Sequence, residues 1–189
     1  MLNRVTNETA IDLAFNLDGE GAYQIDTGIP FLDHMLRLFT RHGGFDLTLK
    51  ASGDLEVDGH HTAEDLGICL GAALKETLGD KMGINRYGSA LIPMDDALIL
   101  VALDLSGRGY LAFDAALPLE RLGSFDSELV EEFCRALAHN GAFNLHVRML
   151  AGHNTHHIIE GIFKALAMAL KQAAAPGRQS GLPSTKGLL

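Results

Sequence analysis

The apolar and polar positions of the chain form a series of segments that occurs twice. Each series reads as a helix, a strand, a short turn and a long helix, with extended segments before it. The predicted elements are a helix at 31–41, a strand at 45–51 and a helix at 60–78 in the first series, and a helix at 126–140, a strand at 143–150 and a helix at 156–174 in the second. The pattern therefore indicates a duplicated supersecondary unit.

The strongest apolar run of the chain spans residues 97–105 and is bounded by Asp96 and Ser106. A membrane-spanning helix needs about 20 apolar residues, so this run is far too short to be one. It predicts a buried strand instead. We therefore expect no attachment to a membrane.

Alignment of the two series shows how far the duplication extends. Residues 42–50 lie over residues 140–148 at an offset of 98 (42 to 140), whereas a His-His-x-x-Glu motif recurs at an offset of 96 (60 to 156). The difference of two residues is expected in the loop between strand and long helix, where length changes are tolerated best. The chain is predicted to be one domain, 1–189, built from two repeats at roughly 1–90 and 91–189.

Composition narrows the classes of function. The chain has 189 residues, of which 47% are hydrophobic, so it can bury a substantial core. Its formal net charge of −9 argues against nucleic-acid binding, which needs a basic surface. Cys69 and Cys134 lie in apolar helical segments and are expected to be reduced core residues, and the N-terminal segment has no continuous apolar signal core. These features favour a cytoplasmic enzyme.

The repeated motif predicts metal sites. In a helix, its first histidine and its glutamate lie one turn apart on one face, whereas the second histidine is rotated by about 100°. If the halves pack as pseudo-symmetric partners, each metal receives a His/Glu pair from one copy and the remaining histidine from the other. The two predicted ligand sets are His156, Glu160 and His61, and His60, Glu64 and His157.

The offset also predicts a further pair of ligands. His34 lies in the first helix, and adding 98 leads to Glu132 in the equivalent helix of the second repeat. Imidazole and carboxylate ligands without thiolate suit Mn²⁺, Fe²⁺, Ni²⁺, Co²⁺ or Zn²⁺, and octahedral coordination leaves positions open for a substrate. The ligand types leave the choice among these metals open.

Six motifs carry a resemblance to a known family. They are Asp33-His34-Met35-Leu36, Asp58-Gly-His-His-Thr-Ala-Glu-Asp65, Arg86-Tyr-Gly, Pro93-Met-Asp-Asp96, Asn154-Thr-His-His-Ile-Ile-Glu160 and Ser184-Thr-Lys-Gly187. In this order they resemble the imidazoleglycerol-phosphate dehydratase family over nearly the whole chain. The resemblance implies an internally duplicated α+β fold, in which each half is a four-stranded mixed sheet with two helices on one face and the helices pack between the sheets.

The resemblance also implies cofactors and partners. It implies two Mn²⁺ per active site and a homo-oligomer of 24 subunits with metals at subunit contacts. The ligand sets drawn above within one chain can then be completed between chains, and pseudo-symmetry does not distinguish the two cases.

The activity implied by the resemblance is that of a hydro-lyase of histidine biosynthesis, which dehydrates D-erythro-imidazole glycerol phosphate to imidazole acetol phosphate. Base abstraction alone is too slow, because no carbonyl activates the hydrogen that is lost. Two metals holding the ring as an imidazolate would let it expel the neighbouring hydroxide, giving a diazafulvene-like intermediate. Glu8 and Glu160 are the implied catalytic residues for proton transfer.

Substrate-binding residues are assigned by the same resemblance. They are Glu8, His34, His42, His60, His61, Glu64, Arg86, Arg108, His156, His157, Glu160, Lys164, Ser184, Thr185 and Lys186. Among these, the phosphate-binding positions of the family are matched by Arg86, Arg108, Lys164, Ser184 and Lys186. The tail is expected to order over bound substrate.

The chain departs from the family pattern at two positions. Leu38 stands where many relatives have a glutamine that reaches the phosphate, and Glu132 stands where relatives often have a histidine. Two other functions also remain open from the residues alone. One is a metal-dependent hydrolase of a phosphorylated small molecule, and the other is a metal-storage or metal-assembled scaffold, which gives no role to Arg86, Arg108 or the tail.

Overall fold

The computed structural model describes residues 1–177, 181–185 and 187, which form two similar halves. The first half comprises β1 (Leu2–Val5), β2 (Thr9–Asn16), β3 (Tyr23–Asp26), α1 (Pro30–Gly43), β4 (Asp46–Gly53) and α2 (His60–Leu78). The second comprises β5 (Tyr87–Met94), β6 (Ala97–Asp104), β7 (Tyr110–Asp114), β8 (Arg121–Leu122), β9 (Phe125–Asp126), α3 (Leu129–Asn140), β10 (Asn144–Ala151) and α4 (Thr155–Ala174).

Each half contains a four-stranded mixed sheet of the same topology. The strand orders are β1-β2-β4-β3 and β5-β6-β10-β7. In both sheets the last pair is parallel and the other two pairs are antiparallel. Helix α2 packs against the first sheet and α4 against the second, while α1 contacts α4 and α2 contacts α3 across the two halves. This architecture confirms the predicted fold class.

The equivalent elements follow the offsets found in the sequence. Strands β4 and β10 are displaced by 98 residues (46 to 144). Between the end of the strand and the first histidine of the repeated motif lie residues 54–59 in the first half and 152–155 in the second. The difference of two residues therefore lies between strand and long helix, as predicted.

The predicted helices and strands agree with the observed ones to within two residues, except at one helix start. Helix α3 begins at Leu129 and not at residue 126, because residues 121–126 form the small β8–β9 hairpin. Gly123 occupies the turn of this hairpin with a positive φ of 67°, and the Phe125 side chain is buried. The second repeat starts with β5 at Tyr87, a few residues before the predicted boundary at 90/91.

Strand β6 carries the most apolar part of the sequence, as expected. Ala97, Ile99, Val101 and Leu103 are buried, and the residues between them are half-buried. Because successive side chains of a strand point to opposite faces, β6 presents one fully buried face to the helical layer. None of the helices in the described part of the chain is long and apolar enough to cross a membrane.

The two cysteines lie in the helical core. Cys69 on α2 and Cys134 on α3 are buried and form no disulfide. Burial raises the pKa of the Cys69 thiol to about 11 and that of Cys134 to about 12, because a thiolate is poorly solvated there. Both are therefore unreactive core residues at neutral pH, as predicted.

Local signals fix the ends of the helices that carry candidate ligands. Pro30 begins α1, where the missing N–H costs nothing, and Gly44 ends it with a φ of 72°. The Asn154 side chain caps α4 by accepting a hydrogen bond from the His157 backbone N–H at 3.2 Å. At α2, Asp58 Oδ1 accepts the His60 backbone N–H at 2.7 Å. The histidines of the repeated motif thus lie in the first turn of well-defined helices.

The segment that links the two halves also holds the C-terminal tail. Gly83 donates its N–H to the Gly181 carbonyl at 3.2 Å and accepts the N–H of Gly177 at 2.7 Å. Further along, Arg86 Nη1 donates to the Pro183 carbonyl at 2.7 Å. The linker therefore supplies the backbone and side-chain partners that fix the start of the tail.

Candidate active site

Three predicted ligands meet where α1 packs on α4. His34 Nε2 lies 3.5 Å from Glu160 Oε2, and His156 Nε2 lies 3.3 Å from the same oxygen. Together these residues offer one ligand atom each within 4.8 Å of one another. We call this group, His34, His156 and Glu160, the α1–α4 cluster. Imidazole and carboxylate donors converge here as a divalent transition metal requires.

Glu160 is the charged centre of this cluster. Its side chain is only 10% exposed, and Lys164, one turn later on α4, places Nζ 2.6 Å from Oε1. Burial raises the pKa of Glu160, but the hydrogen bond and charge of Lys164, together with His156 and His34, outweigh it and lower that pKa overall. Glu160 is therefore held as a carboxylate, the form that binds a cation.

Aromatic rings and a cleft border the cluster. Phe31 packs its ring edge-on to His156, with the centroids 5.2 Å apart, and also contacts Phe125 of the β8–β9 hairpin. A cleft of about 390 Å³ is lined by Phe31, His34, Ser124 and His156, among others. The two histidines are therefore accessible from outside, and the hairpin that the sequence did not predict forms part of their surroundings.

The equivalent residues of the other helix pair are less closely assembled. We call Glu132, His60 and Glu64 the α2–α3 set. His60 and Glu132 line one cleft of about 450 Å³, while Glu64 is exposed. Glu132 Oε2 lies 3.6 Å from Arg135 Nε. The position that matches Lys164 is Ile68 (68 to 164), so Glu64 has no equivalent ammonium group one turn after it.

The second histidine of the first motif points to a different set of carboxylates. His61 Nδ1 lies 2.9 Å from Asp54 Oδ2, and its Nε2 lies 3.8 Å from Glu8 Oε1. The Asp54 hydrogen bond is the main reason that the pKa of His61 is raised. An ionised carboxylate only accepts, so Asp54 fixes a proton on Nδ1 and leaves the Nε2 lone pair of neutral His61 available to a metal, whereas Nε2 can donate to the Glu8 carboxylate only when His61 is protonated.

His157 repeats this arrangement with residues from another loop. Its Nδ1 lies 2.6 Å from Asp96 Oδ1 and its Nε2 lies 3.5 Å from Asp95 Oδ2. Asp96 also accepts the backbone N–H groups of His153 and Asn154. These hydrogen bonds, from His153, His157 and Asn154, hold the pKa of Asp96 well below its usual range. Asp96 is therefore a fixed anion that orients His157.

A single chain assembles only part of the predicted ligand sets. His34, one of the two predicted further ligands, lies beside His156 and Glu160, whereas His61 is turned to Asp54 and Glu8. Within the part of the chain that the structure describes, the α1–α4 cluster is the one group of three or more close ligand residues. Neither of the predicted sets, His156 and Glu160 with His61 or His60 and Glu64 with His157, is assembled within one subunit.

The family profile of imidazoleglycerol-phosphate dehydratase (IGPD) matches residues 27–170. The chain belongs to this family. It is 62% identical to the imidazoleglycerol-phosphate dehydratase of Pelotomaculum thermopropionicum over 189 residues, which is 100% of this chain and 97% of the relative. It is also 62% identical to that of Desulforudis audaxviator over 188 residues, covering 100% of this chain and 96% of the relative. Imidazoleglycerol-phosphate dehydratases are hydro-lyases of histidine biosynthesis, and this chain is one of them.

Solved IGPD structures share the fold. The Staphylococcus aureus enzyme superposes with a TM-score of 0.82 at 44% identity, covering 93% of this chain and 98% of that chain. The Pyrococcus furiosus enzyme superposes with a TM-score of 0.84 at 38% identity, covering 100% of both chains. The duplicated α+β architecture is therefore the IGPD fold.

The expected phosphate-binding residues of this chain lie on different elements. Arg86, at the start of β5, is engaged in a bidentate pair with Asp104, with distances of 2.7 and 3.1 Å. Arg108 is exposed in the loop after β6, and Lys164 projects from α4 toward Glu160. In the tail, Ser184 is half-buried and Thr185 is exposed, whereas Lys186 lies outside the described residues.

The two remaining expectations concern His42 and Leu38. His42, near the end of α1, is exposed, and its pKa is lowered by partial burial and then by the charge of Lys164, so it lies within electrostatic range of that lysine. Leu38 packs partly against the hydrophobic core. It therefore fills an apolar position on α1 and offers no polar group to a phosphate.

Sequence reasoning missed the contribution of Asp54. This residue lies in the loop before α2, which is longer than its counterpart before α4, and the equivalent position there is Gly152 (54 to 152). The sequence signal was present in the extra loop length and in the acidic side chain that follows β4. Because the repeat partner carries no carboxylate, the comparison between repeats could not point to it.

Proposed function

We propose that this chain dehydrates D-erythro-imidazole glycerol phosphate to imidazole acetol phosphate in a metal-dependent reaction, with two Mn²⁺ per active site. The observation that carries the proposal is the α1–α4 cluster, in which two imidazoles and a buried carboxylate converge within 4.8 Å. The donor types fit Mn²⁺, which accepts imidazole and carboxylate ligands.

The residues that would hold the metals are the eight with imidazole or carboxylate groups at the repeated positions. They are His34, His60, His61, Glu64, Glu132, His156, His157 and Glu160. Bound Mn²⁺ would supply Lewis-acid stabilisation of negative charge on the imidazole ring of the substrate. The second histidines of the two motifs, His61 and His157, are oriented by Asp54 and Asp96. Each carboxylate is hydrogen-bonded to Nδ1 of its histidine, so that Nε2 points away from it.

Glu8 and Glu160 are the proposed proton-transfer residues. Glu8 lies in the turn between β1 and β2, and its side chain is 53% exposed, so it can reach a bound substrate. It lies near His61 and would protonate the departing hydroxyl. Glu160 is kept ionised by Lys164 and can accept the proton that the substrate carbon loses.

Cations and the tail would bind the phosphate. Lys164 is fixed beside Glu160, and Arg86 is fixed by Asp104 and by the Pro183 carbonyl, so both cations have defined positions before substrate arrives. Arg108 is exposed and free to approach a phosphate through its planar fork. We propose that residues 184–187 close over the phosphate.

A homo-oligomer, with 24 subunits as the expected assembly, would complete each metal site. His61 and His157 are accessible and are not part of the α1–α4 cluster of their own chain. Neighbouring copies would therefore bring one of these two histidines to the α1–α4 cluster and the other to the α2–α3 set. We propose the cytoplasm as the compartment, because Cys69 and Cys134 are free thiols.

The decisive experiment is turnover of imidazole glycerol phosphate by metal-stripped protein, with and without added Mn²⁺. Ketone product only with Mn²⁺ supports the proposal. Equal turnover after complete metal removal refutes the metal dependence. Release of inorganic phosphate without ketone would instead support the metal-dependent hydrolase.

Two variants test the residue roles. Glu8→Gln should keep bound Mn²⁺ but lower kcat by about 10²- to 10⁴-fold, as loss of a general acid does. Retained turnover would remove Glu8 from the mechanism.

Truncation after Pro183 should raise KM for the substrate, and an unchanged KM would refute closure of the tail over the phosphate.

A further inference from the structure

A buried carboxylate that the proposed mechanism does not use lies beside the turn that carries Glu8. Asp65, on the buried side of α2, is only 7% exposed. Its Oδ1 accepts hydrogen bonds from Arg4 Nε at 3.0 Å and pairs with Arg4 Nη2 at 2.9 Å. Its Oδ2 accepts the hydroxyl of Thr9. Arg4 and Thr9 lie on β1 and β2, so this carboxylate ties both strands of the hairpin to α2.

The hydrogen bonds continue from Thr9 to the backbone of Glu8. Because Thr9 donates its hydroxyl proton to Asp65, its hydroxyl oxygen can only accept in the 3.2 Å contact with the Thr6 hydroxyl, which also lies 3.5 Å from the Thr9 carbonyl. Thr6 Oγ1 in turn accepts the backbone N–H groups of Glu8 at 3.1 Å and Thr9 at 2.9 Å. The Glu8 carbonyl accepts the N–H of Asp54 at 3.1 Å.

This chain of hydrogen bonds exists in only one repeat. The position of α4 that matches Asp65 is Gly161 (65 to 161), where even a Cβ would lie 2.8 Å from Ile99 Cγ1. The corresponding turn between β5 and β6 is held instead by Asp96 and the backbone before α4. Asp65 is therefore specific to the half that carries Glu8.

We propose that Asp65 is a positioning residue that acts through Thr9, Thr6 and Arg4 to hold the Glu8 turn against His61. The inference rests on the proposed role of Glu8. A reacting group displaced by about 1 Å can lose about 100-fold in rate. Loosening the turn should therefore lower kcat and leave KM and metal binding at the α1–α4 cluster nearly unchanged, since Asp65 touches neither the predicted phosphate-binding residues nor that cluster.

The main test is a pair of substitutions at Thr9. Thr9→Val keeps the shape of the buried side chain and removes the hydroxyl, and we expect kcat to fall about 10- to 100-fold with KM within about twofold of wild type. Thr9→Ser keeps the hydroxyl and should restore most of the rate. Asp65→Asn should lower kcat in the same way. The matched control is Asp12→Asn, which changes an exposed β2 carboxylate that contacts Asn3 and should leave kcat unchanged.

A double-mutant cycle separates positioning from loss of stability. If Asp65 acts through Glu8, Thr9→Val should cost much less in a Glu8→Asp background, whose carboxylate is already misplaced, than in wild type. Equal fold losses in the two backgrounds would overturn the inference, as would Thr9→Val and Asp65→Asn both keeping wild-type kcat while Glu8→Gln is inactive. Full activity of Glu8→Gln would instead refute the proposed role of Glu8, on which this inference rests.

Discussion

The α1–α4 cluster and the α2–α3 set derive from the same positions of the duplicated unit, yet they differ in how far one chain assembles them. Glu160 is buried, is paired with Lys164 and lies within 4.8 Å of two histidine ligand atoms. Glu64 is exposed, and Ile68 replaces the lysine. Duplication has preserved the ligand positions in both halves, while the charges around them have diverged.

This difference indicates that the two proposed metal positions are not equivalent. A carboxylate held in place by an ammonium group and surrounded by core loses little freedom when a cation binds. An exposed carboxylate must be ordered first, which weakens binding. We therefore expect the α1–α4 cluster to bind Mn²⁺ more tightly and the α2–α3 set to depend more on neighbouring subunits and on metal concentration.

The largest effect should come from the glutamates of the repeated motif. Glu160→Gln removes a predicted ligand and the proposed proton acceptor, so kcat should fall about 10²- to 10⁴-fold at any Mn²⁺ concentration. Glu64→Gln removes only a ligand, so excess Mn²⁺ should restore much of its turnover. The measurement is kcat against Mn²⁺ concentration, and equal rescue of both variants would show that the two positions are equivalent.

Removal of Asp54 or Asp96, the carboxylates that orient His61 and His157, should have the next largest effect. Asp96→Ala and Asp54→Ala should each weaken Mn²⁺ binding by about 10- to 100-fold, as loss of a ligand's hydrogen-bond partner does. The loss should be larger for Asp96, because it also accepts two backbone N–H groups, from His153 and Asn154. Calorimetric titration of the metal-stripped proteins gives both affinities, and a larger loss for Asp54→Ala would contradict this order.

A smaller effect is expected at Glu132. Glu132→Gln should weaken Mn²⁺ binding at the α2–α3 set by about tenfold or less, because its carboxylate is half-buried and already contacts Arg135. Glu131→Gln is the matched control, since Glu131 also contacts Arg135 from the same turn but is not a predicted ligand. Indistinguishable affinities of the two variants would remove Glu132 from the ligand set.

The smallest effect concerns Asp46, whose repeat partner is Asn144 (46 to 144). Backbone N–H groups of Ala22 and Glu20 donate to the Asp46 carboxylate and lower its pKa below the ordinary 3.8. The stabilisation is therefore complete above pH 3.8 and is lost as the pH falls through the lower folded pKa. Asp46→Asn should reduce Tm slightly at pH 7, and the difference from wild type should shrink below pH 3.8.

Internal repetition made most of the fold predictable from the sequence. The predicted bounds of β4, β10, α2 and α4 agree with the observed bounds to within two residues. The hydrophobic pattern and the duplication, with its offsets of 98 and 96, are two independent indications for each of these elements. The β8–β9 hairpin was missed because it has no counterpart in the first half. Nothing in the duplicated pattern marks a two-residue strand.

The candidate site was predictable in its residues but not in their grouping. Pseudo-symmetry identified His34 and Glu132 as a related pair, yet it could not say that His34 would lie beside Glu160 in the same chain. That outcome depends on α1 packing on α4, a tertiary contact with no local signal. Asp54 and Asp65 were missed by the repeat comparison for another reason, because each has a glycine at the equivalent position of the second repeat.

The linker between the halves has a consequence for how the protein could be divided. Two separate half-length chains would reproduce the sheets and the helix pairs, but residues 83–86 would then be a free chain end. Gly83 would then no longer be held in position for its hydrogen bonds with Gly177 and Gly181. Arg86 would likewise no longer be held in position for its contact with Pro183. Covalent fusion of the repeats thus supplies a fixed linker to which the C-terminal segment hydrogen-bonds, and because we propose that the tail closes over the phosphate, we expect a split version to bind the substrate more weakly.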